Sequence, residues 1–221
     1  MATALTITDR VAELHATMAA QPPNEVMGAF GREQAELATA GLPAGIATVG
    51  TVVADAELLD PHGIGTTLYV ATGGSVSVLV FYRGAWCPYC NIALATYQSR
   101  LLPQLTERGI TLVAVSPQGP DGSLSMAEKN DLAFTVVSDP GNRVAGQLGI
   151  LTTPTVDARA AQLQLGLDLT AVNADATITL PMPTAVILDA EHVLRWIDVH
   201  PDYSTRTEAQ QILDALDQLA L

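Results

Sequence analysis

The sequence predicts an α/β fold, a central sheet with helices against it, preceded by an N-terminal helical arm. Three observations carry this. The runs Val76 to Tyr82 (VSVLVFY) and Ile110 to Ser116 have the length and β-branching of strands buried on both faces, as in a parallel sheet. Between them Leu94, Tyr97, Leu101 and Leu105 recur at helical spacing, which completes a right-handed strand, helix, strand unit. Ahead of both, the apolar residues of the first 40 positions follow helical spacing.

In chain order, Val11, Leu14, His15 and Met18 mark a first helix. After the break Gln21-Pro22-Pro23-Asn24, Val26, Phe30 and Leu37 mark a second. Gly41-Leu42-Pro43-Ala44-Gly45 ends this arm, so residues 1–45 are expected to form the arm and 46–221 a single domain. Strands are expected over Thr51 to Leu59 and Thr66 to Ala71, joined by the turn Asp60-Pro61-His62-Gly63. The crossover helix should kink at Pro103 and close at Gly109. Helices follow at about 122–130, 142–149 and within 156–169, with a short strand at 134–138. A hairpin pairs Thr184 to Asp189 with Val193 to Val199, and Glu208, Ile212, Ala215, Leu216 and Leu219 mark a closing helix. Leu151 to Leu180 is longer than a connection requires and is expected to form a helical lid or a homodimer surface.

Composition narrows the function classes. The 221 residues are 48% hydrophobic, enough for a core that needs no disulfide staples. A net charge of −13 repels phosphate backbones and anionic lipid surfaces, so neither nucleic acid nor membrane is an expected partner. Asp9, Arg10 and Glu13 interrupt the N-terminal apolar pattern, leaving no signal-peptide core, and no stretch is long enough to span a bilayer. A cytoplasmic protein is expected, in which any disulfide is reversible.

The chemistry is concentrated in FYRGAWCPYC, Phe81 to Cys90, which holds the two cysteines of the chain. At a strand-to-helix turn, unsatisfied amides and the helix dipole stabilise a thiolate on Cys87, and Cys90 lies nearly one turn on, within bridging reach. A free cysteine pKa of about 8.5 is commonly lowered in such sites. Pro88 suits the first helical turn, where no amide donor is lost. A zinc clamp lacks a second cysteine pair and an HxxxH, since His15, His62, His192 and His200 are scattered. No metal and no cofactor are expected. A pair of inert buried cysteines is the other alternative, and the flanking Gly84 and Trp86 argue for a turn over a core. Trp86 and Tyr89 are expected to pack beneath the turn or shape a shallow apolar site. His15 is expected to pack on its apolar helical stripe, His200 to lie at the surface, and Glu33 with Glu36 to form solvated charge.

FYRGAWCPYC, the helix after it, the LPMPTAVILDAEHVLRW block and the HPDYSTR tail resemble the peroxiredoxin-like branch of the alkyl hydroperoxide reductase and thiol-specific antioxidant family, over roughly residues 46–221. The resemblance implies a thioredoxin-like central mixed sheet flanked by helices, and thiol-dependent peroxide reduction. Counted from Phe81-Tyr82, the family's Pro-x-x-x-Thr/Ser-x-x-Cys signature falls on Arg83, Cys87 and Cys90, so a second thiol stands at the hydroxyl position. Thr184 stands near where the family's arginine is expected, and Arg83 is a substitute cation or a structural arginine. Thioredoxin-type folds also carry a cis-proline facing the cysteines. Met182-Pro183 is therefore expected to be cis and to lie against Cys87, the alternative being an ordinary strand-leading proline.

Two mechanisms follow. In one, a thiolate attacks hydrogen peroxide or an organic hydroperoxide, and the resulting sulfenic acid condenses with the other cysteine. A thioredoxin-, glutaredoxin- or glutathione-type thiol then restores the pair. In the other, Cys87 attacks a partner's disulfide and Cys90 resolves it, as in thioredoxin or glutaredoxin. Helix-end geometry favours Cys87 as nucleophile and the family register favours Cys90, so the order stays open. A non-catalytic redox sensor would oxidise without turnover.

Overall fold

The computed structural model describes residues 5–22 and 24–220, so Pro23 of the inter-helix break and the first four residues of the arm lie outside the described residues. Helix α1 (Ile7–Ala19) starts at a capping box, in which the Thr6 hydroxyl accepts from the Asp9 amide while the Asp9 carboxylate accepts from the Thr6 amide. Helix α2 (Glu25–Ala40) is capped by the Asn24 side chain and stops at Gly41, φ +68°. The chain continues through β1 (Glu57–Leu59), β2 (Gly65–Thr67), α3 (Leu68–Thr72) and β3 (Ser77–Phe81). Helix α4 (Pro88–Thr96) then runs through a π-helical turn at Tyr97–Leu101 into α5 (Leu102–Glu107), which places the expected irregularity just ahead of Pro103.

Strand β4 (Thr111–Ser116), α6 (Pro120–Lys129), β5 (Thr135–Ser138), a 3-10 turn at Pro140–Asn142 and α7 (Arg143–Gln147) complete the alternation. The remainder is β6 (Leu151–Thr152), α8 (Val156–Gln164), α9 (Leu169–Val172), β7 (Leu180–Pro181), β8 (Thr184–Leu188), β9 (Leu194–Val199) and α10 (Ala209–Leu219).

The main sheet has seven strands in the order β2-β1-β5-β4-β3-β8-β9, with β3, β4 and β5 parallel and the outer pairings antiparallel. Every residue of β3 is buried, as expected for a central strand covered on both faces. Its alternation divides the core: Val78 and Val80 face the layer that holds α4, α5 and α10, while Leu79 and Phe81 face the layer of α3 and α7. At about 1.5–3 kcal/mol per fully buried aliphatic side chain, these two layers are the main support for the turn that β3 feeds into α4.

Three expectations about strands and backbone geometry are corrected. Thr66 to Ala71 is mostly helix, because the Thr67 hydroxyl caps the Val70 amide and Gly73 supplies a left-handed stop at φ +67°. The strand expected from Thr51 begins only at Glu57, with Val52 making an isolated bridge to Val193. Met182-Pro183 is trans, since the described residues contain no cis peptide bond. Pro183 is the ordinary strand-leading proline: Thr184 follows it directly into β8 with its hydroxyl on the Met182 carbonyl, and the Pro183 carbonyl accepts from the His200 amide at 2.9 Å.

The arm packs onto the site-bearing layers, α1 on α4 and α2 on α8. Its start is clamped by Glu208, whose carboxylate accepts from the amides of Ile7 and Thr8 at 3.0 and 2.8 Å, a negative charge at a helix N-terminus. Glu33, expected to be solvated, is buried in α2 and accepts from the Thr155 amide at 2.8 Å, whereas Glu36 is exposed as expected. No helix among the described residues is long and apolar enough to cross a membrane.

Candidate active site

Cys87 is the residue that caps α4, with φ −86° and ψ 115°, and Pro88 occupies the first turn behind it. The turn is held from several sides. Asn91 donates to the carbonyls of Ala85 and Cys87, both at 2.8 Å, and Gln118 accepts from the Ala85 amide at 2.6 Å. Gly84, φ +156°, has no room for a side chain, since a Cβ there would meet the Trp86 indole nitrogen and lie 2.8 Å from the Gln118 carbonyl oxygen.

Both cysteines are reduced and buried, Cys87 at 1% and Cys90 at 0% exposure. One guanidinium reaches both: Arg206 Nη2 lies 3.1 Å from Cys90 Sγ and 4.0 Å from Cys87 Sγ. The Arg83 amide donates to Cys90 Sγ as well, at 3.4 Å. Burial alone would push both thiols up. For Cys90 that effect is outweighed by a hydrogen bond from the Cys87 thiol, the Arg206 charge and the Arg83 amide, and the net direction is well below an ordinary thiol. For Cys87, burial and the negative neighbour it bonds act together and hold it well above. The donors that converge on Cys90 favour a negative charge there over one on Cys87.

Helix-end geometry alone favoured Cys87 as nucleophile, with access to solvent; the burial observed here removes that access. Cys87 is nearly inaccessible, and the converging donors sit nearer the second sulfur. Arg206 is itself fixed: its Nη1 donates to the carbonyls of Tyr203 and Thr205. The loop carrying it is tied down by Thr207 Oγ1 on Asp198 at 2.8 Å, Tyr97 Oη on the Thr207 carbonyl at 2.7 Å, and His200 between Thr205 and Asp198. The His200 bond holds the Asp198 carboxyl below its usual range.

Cys87 forms part of the floor of a cavity of about 470 Å³, beside Arg83, Trp86, Pro88 and Tyr89. The arm supplies one wall through His15, Met18, Met27, Phe30 and Gln34, and the segment around α8 supplies another through Gln162, Leu165 and Leu167. Residues from Leu151 to Leu180 thus do lie over the site. His15 is exposed and does not pack on an apolar stripe: its Nε2 lies 3.0 Å from Tyr89 Oη, with the rings edge-to-face. Arg83 is 4% exposed, its guanidinium 3.7 Å from the Tyr203 ring centroid and 5.3 Å from that of Trp86.

The structure brings together Cys87, Cys90, Arg83, Trp86, Pro88 and Tyr89, while Thr184 lies with Arg206 along a small gap beneath and keeps its hydroxyl on Met182. Arg206, Tyr203, Asn91 and Gln118 escape a motif-based reading. The HPDYSTR tail contains two of them, and a charged residue inside an otherwise family-like block was the available signal.

Residues 49–197 match the AhpC/TSA family. The chain belongs to that family. The AhpC/TSA match contains both cysteines but neither the arm nor Arg206. A Haemophilus influenzae protein that carries a peroxiredoxin name, bcp, is 30% identical over 77 residues, 35% of this chain and 49% of that relative, so the chain matches about half the length of this curated relative. Among solved structures, peroxidoxin BcpB of Mycobacterium tuberculosis is 20% identical with a TM-score of 0.59, covering 77% of this chain and 97% of that one. Reduced Prx3 of Vibrio vulnificus, solved in complex with hydrogen peroxide, is 19% identical with a TM-score of 0.63, covering 79% and 99%. These likenesses show the thioredoxin-like mixed α/β fold.

Proposed function

We propose that this AhpC/TSA member is a thiol-dependent peroxidase that reduces hydrogen peroxide or organic hydroperoxides through Cys87 and Cys90. One observation supports the reading: Arg206 Nη2 at 3.1 Å from Cys90 Sγ and 4.0 Å from Cys87 Sγ, a buried cation whose closer approach favours a thiolate on the second sulfur. In the proposed sequence the Cys90 thiolate attacks the terminal peroxide oxygen, an S–O bond forms and the O–O bond breaks. The leaving alkoxide or hydroxide takes the Cys87 proton and departs as alcohol or water. Cys87, now a thiolate, attacks the Cys90 sulfenic acid and releases hydroxide, closing the disulfide. Two equivalents of an external thiol, of thioredoxin, glutaredoxin or glutathione type, then reduce the disulfide, and one of the protons they deliver neutralises that hydroxide.

Cys87 in this scheme is the proton donor as well as the resolving thiol, which gives a reason for its raised pKa. A cytosolic setting belongs to the same reading, since the two free thiols need a reducing supply. The test uses single variants exposed to peroxide. Cys87→Ser should accumulate a sulfenic acid trappable at Cys90, and Cys90→Ser should not consume peroxide. Sulfenic acid at Cys87 in the Cys90→Ser protein, formed at the wild-type rate, would reverse the roles.

A further inference from the structure

The cavity above Cys87 is a built site whose walls come mainly from outside the family-matched residues or from the long segment before β8. Its lining is apolar over most of its extent, with Met18, Met27, Phe30, Leu165 and Leu167 contributing. At about 470 Å³ it has the size of a small-molecule site and is far larger than hydrogen peroxide needs. Among the described lining residues none is acidic, and one, Arg83, is a permanent cation. Arg83 is 4% exposed, yet among the described residues its guanidinium takes part in no ion pair: Nε has no hydrogen-bond partner there, and the group rests on the rings of Tyr203 and Trp86.

Gln162 is a second, independent sign. It lines the same cavity at 2% exposure, and neither its amide nitrogen nor its oxygen has a partner. Buried polar groups left in this state are costly; these atoms are enclosed as the side chains stand, and a turn of either side chain toward the cavity it lines would give it a ligand as partner. Glu33, the buried acid of α2, lies outside the lining; one of its oxygens accepts from the Thr155 amide, the other has no hydrogen-bond partner among the described residues, and it acts with Arg83 on Tyr203 from the side away from the cavity lining.

We infer that the cavity takes an amphipathic acid, with its carboxylate on Arg83 and its apolar body along the arm and α8. This rests on the peroxidase reading for one consequence: the preferred substrate is an apolar organic hydroperoxide that also bears a carboxylate. Arg83, Gln162 and Phe30 are then specificity residues, and the arm is a substrate wall. A guanidinium–carboxylate contact in a dry cavity is a strong, charge-assisted one, so an acid should outperform its ester by about tenfold or more in kcat/KM.

Two measurements on the full chain separate the claims. Calorimetric titration of the reduced protein with octanoate and with octanol reads the cavity without any turnover. Octanoate should bind about tenfold tighter, and Arg83→Gln should bring the two affinities together; equal affinities in the wild type, or binding of neither, overturn the acid site. Steady-state assays then compare a fatty-acid hydroperoxide with its methyl ester and with hydrogen peroxide. An acid-over-ester preference that Arg83→Gln abolishes supports the inference, whereas equal rates for acid and ester with sound hydrogen peroxide turnover refute it and leave the peroxidase reading standing. No turnover of any peroxide, with octanoate bound, overturns the peroxidase reading and its substrate corollary while the acid site stands.

Discussion

Replacing Arg206 by Met keeps length and apolar contact but removes the charge and the fork of donors beneath the cysteines. The group lost is a charge-assisted hydrogen bond at 3.1 Å to Cys90 Sγ, together with two bonds to the carbonyls of Tyr203 and Thr205. A hydrogen bond to a charged group contributes about 1.5–3 kcal/mol, and 1.4 kcal/mol is a factor of ten in rate. If thiolate attack limits peroxide consumption, kcat/KM at neutral pH should fall roughly tenfold to a hundredfold. The Cys90 pKa should rise, because burial is then less opposed. Arg206→Lys should recover part of the rate, since it restores a cation without the planar fork. The assay pairs peroxide consumption under excess reductant with the pH profile of alkylation at Cys90. Loss of the two carbonyl bonds also lowers stability, but a purely structural defect would leave the alkylation midpoint in place. A folded Arg206→Met protein with the wild-type alkylation profile would refute the reasoning outright.

Two further predictions concern the pair and its turn. Cys90 is depressed, so its contribution is present above the unfolded thiol pKa of about 8.5 and lost as pH falls through the folded value; Cys87 is raised, so the unfolded chain ionises there first. Stability of the reduced protein should therefore rise with pH up to about 8.5 and fall above it, and urea midpoints across that range should lose the rising limb in Cys90→Ser. Gly84→Ala forces a Cβ against the Trp86 indole and to 2.8 Å from Gln118 Oε1, which should cost about 1–3 kcal/mol in denaturant unfolding and reduce activity with it; an unchanged midpoint would show that the turn yields freely.

How far the sequence discloses this site depends on how local each determinant is. The β3 strand, the α4 start and the placing of Cys87 and Cys90 follow from a few consecutive residues, FYRGAWCPYC, whose pattern is complete in itself. Thr66 to Ala71 misled because its β-branched residues suit a strand, while a Thr cap and a Gly stop close a single helical turn around them. Glu33 looked solvated because its burial comes from α8, remote in sequence. Arg206 is 116 residues from the sulfur it binds, and no periodicity links the two. Helix-end reasoning leaves the order of the cysteines open for the same reason: the dipole acts at Cys87, whereas Arg206 reaches Cys90 from the loop after β9 and the Arg83 amide reaches it from the turn after β3.

The depth of the sulfurs bears on the choice between the two mechanisms. Attack on a protein disulfide needs the nucleophilic sulfur at the surface, in line with the partner's S–S bond, as exchange requires access. Here Cys87 is 1% exposed at the floor of a cavity walled by the two helices of the arm and by α8, so a docked protein would have to displace those walls before reaching it. A peroxide is small enough to enter the cavity and reach Cys87 at its floor, and has only to pass that side chain to meet Cys90, which lies behind the lining. The same walls constrain the reductant: a small thiol can follow the substrate's path, whereas a thioredoxin-sized reductant requires the arm to open. The polar contacts that resist opening include His15 and Gln34 on Tyr89, Tyr203 on the Phe30 carbonyl, Glu33 on the Thr155 amide, the exposed Arg32–Asp157 pair and Glu208 on the α1 amides. Tyr89 follows the attacked pair's first cysteine by two residues, so the α4 turn that carries the chemistry also carries the latch of its own cover.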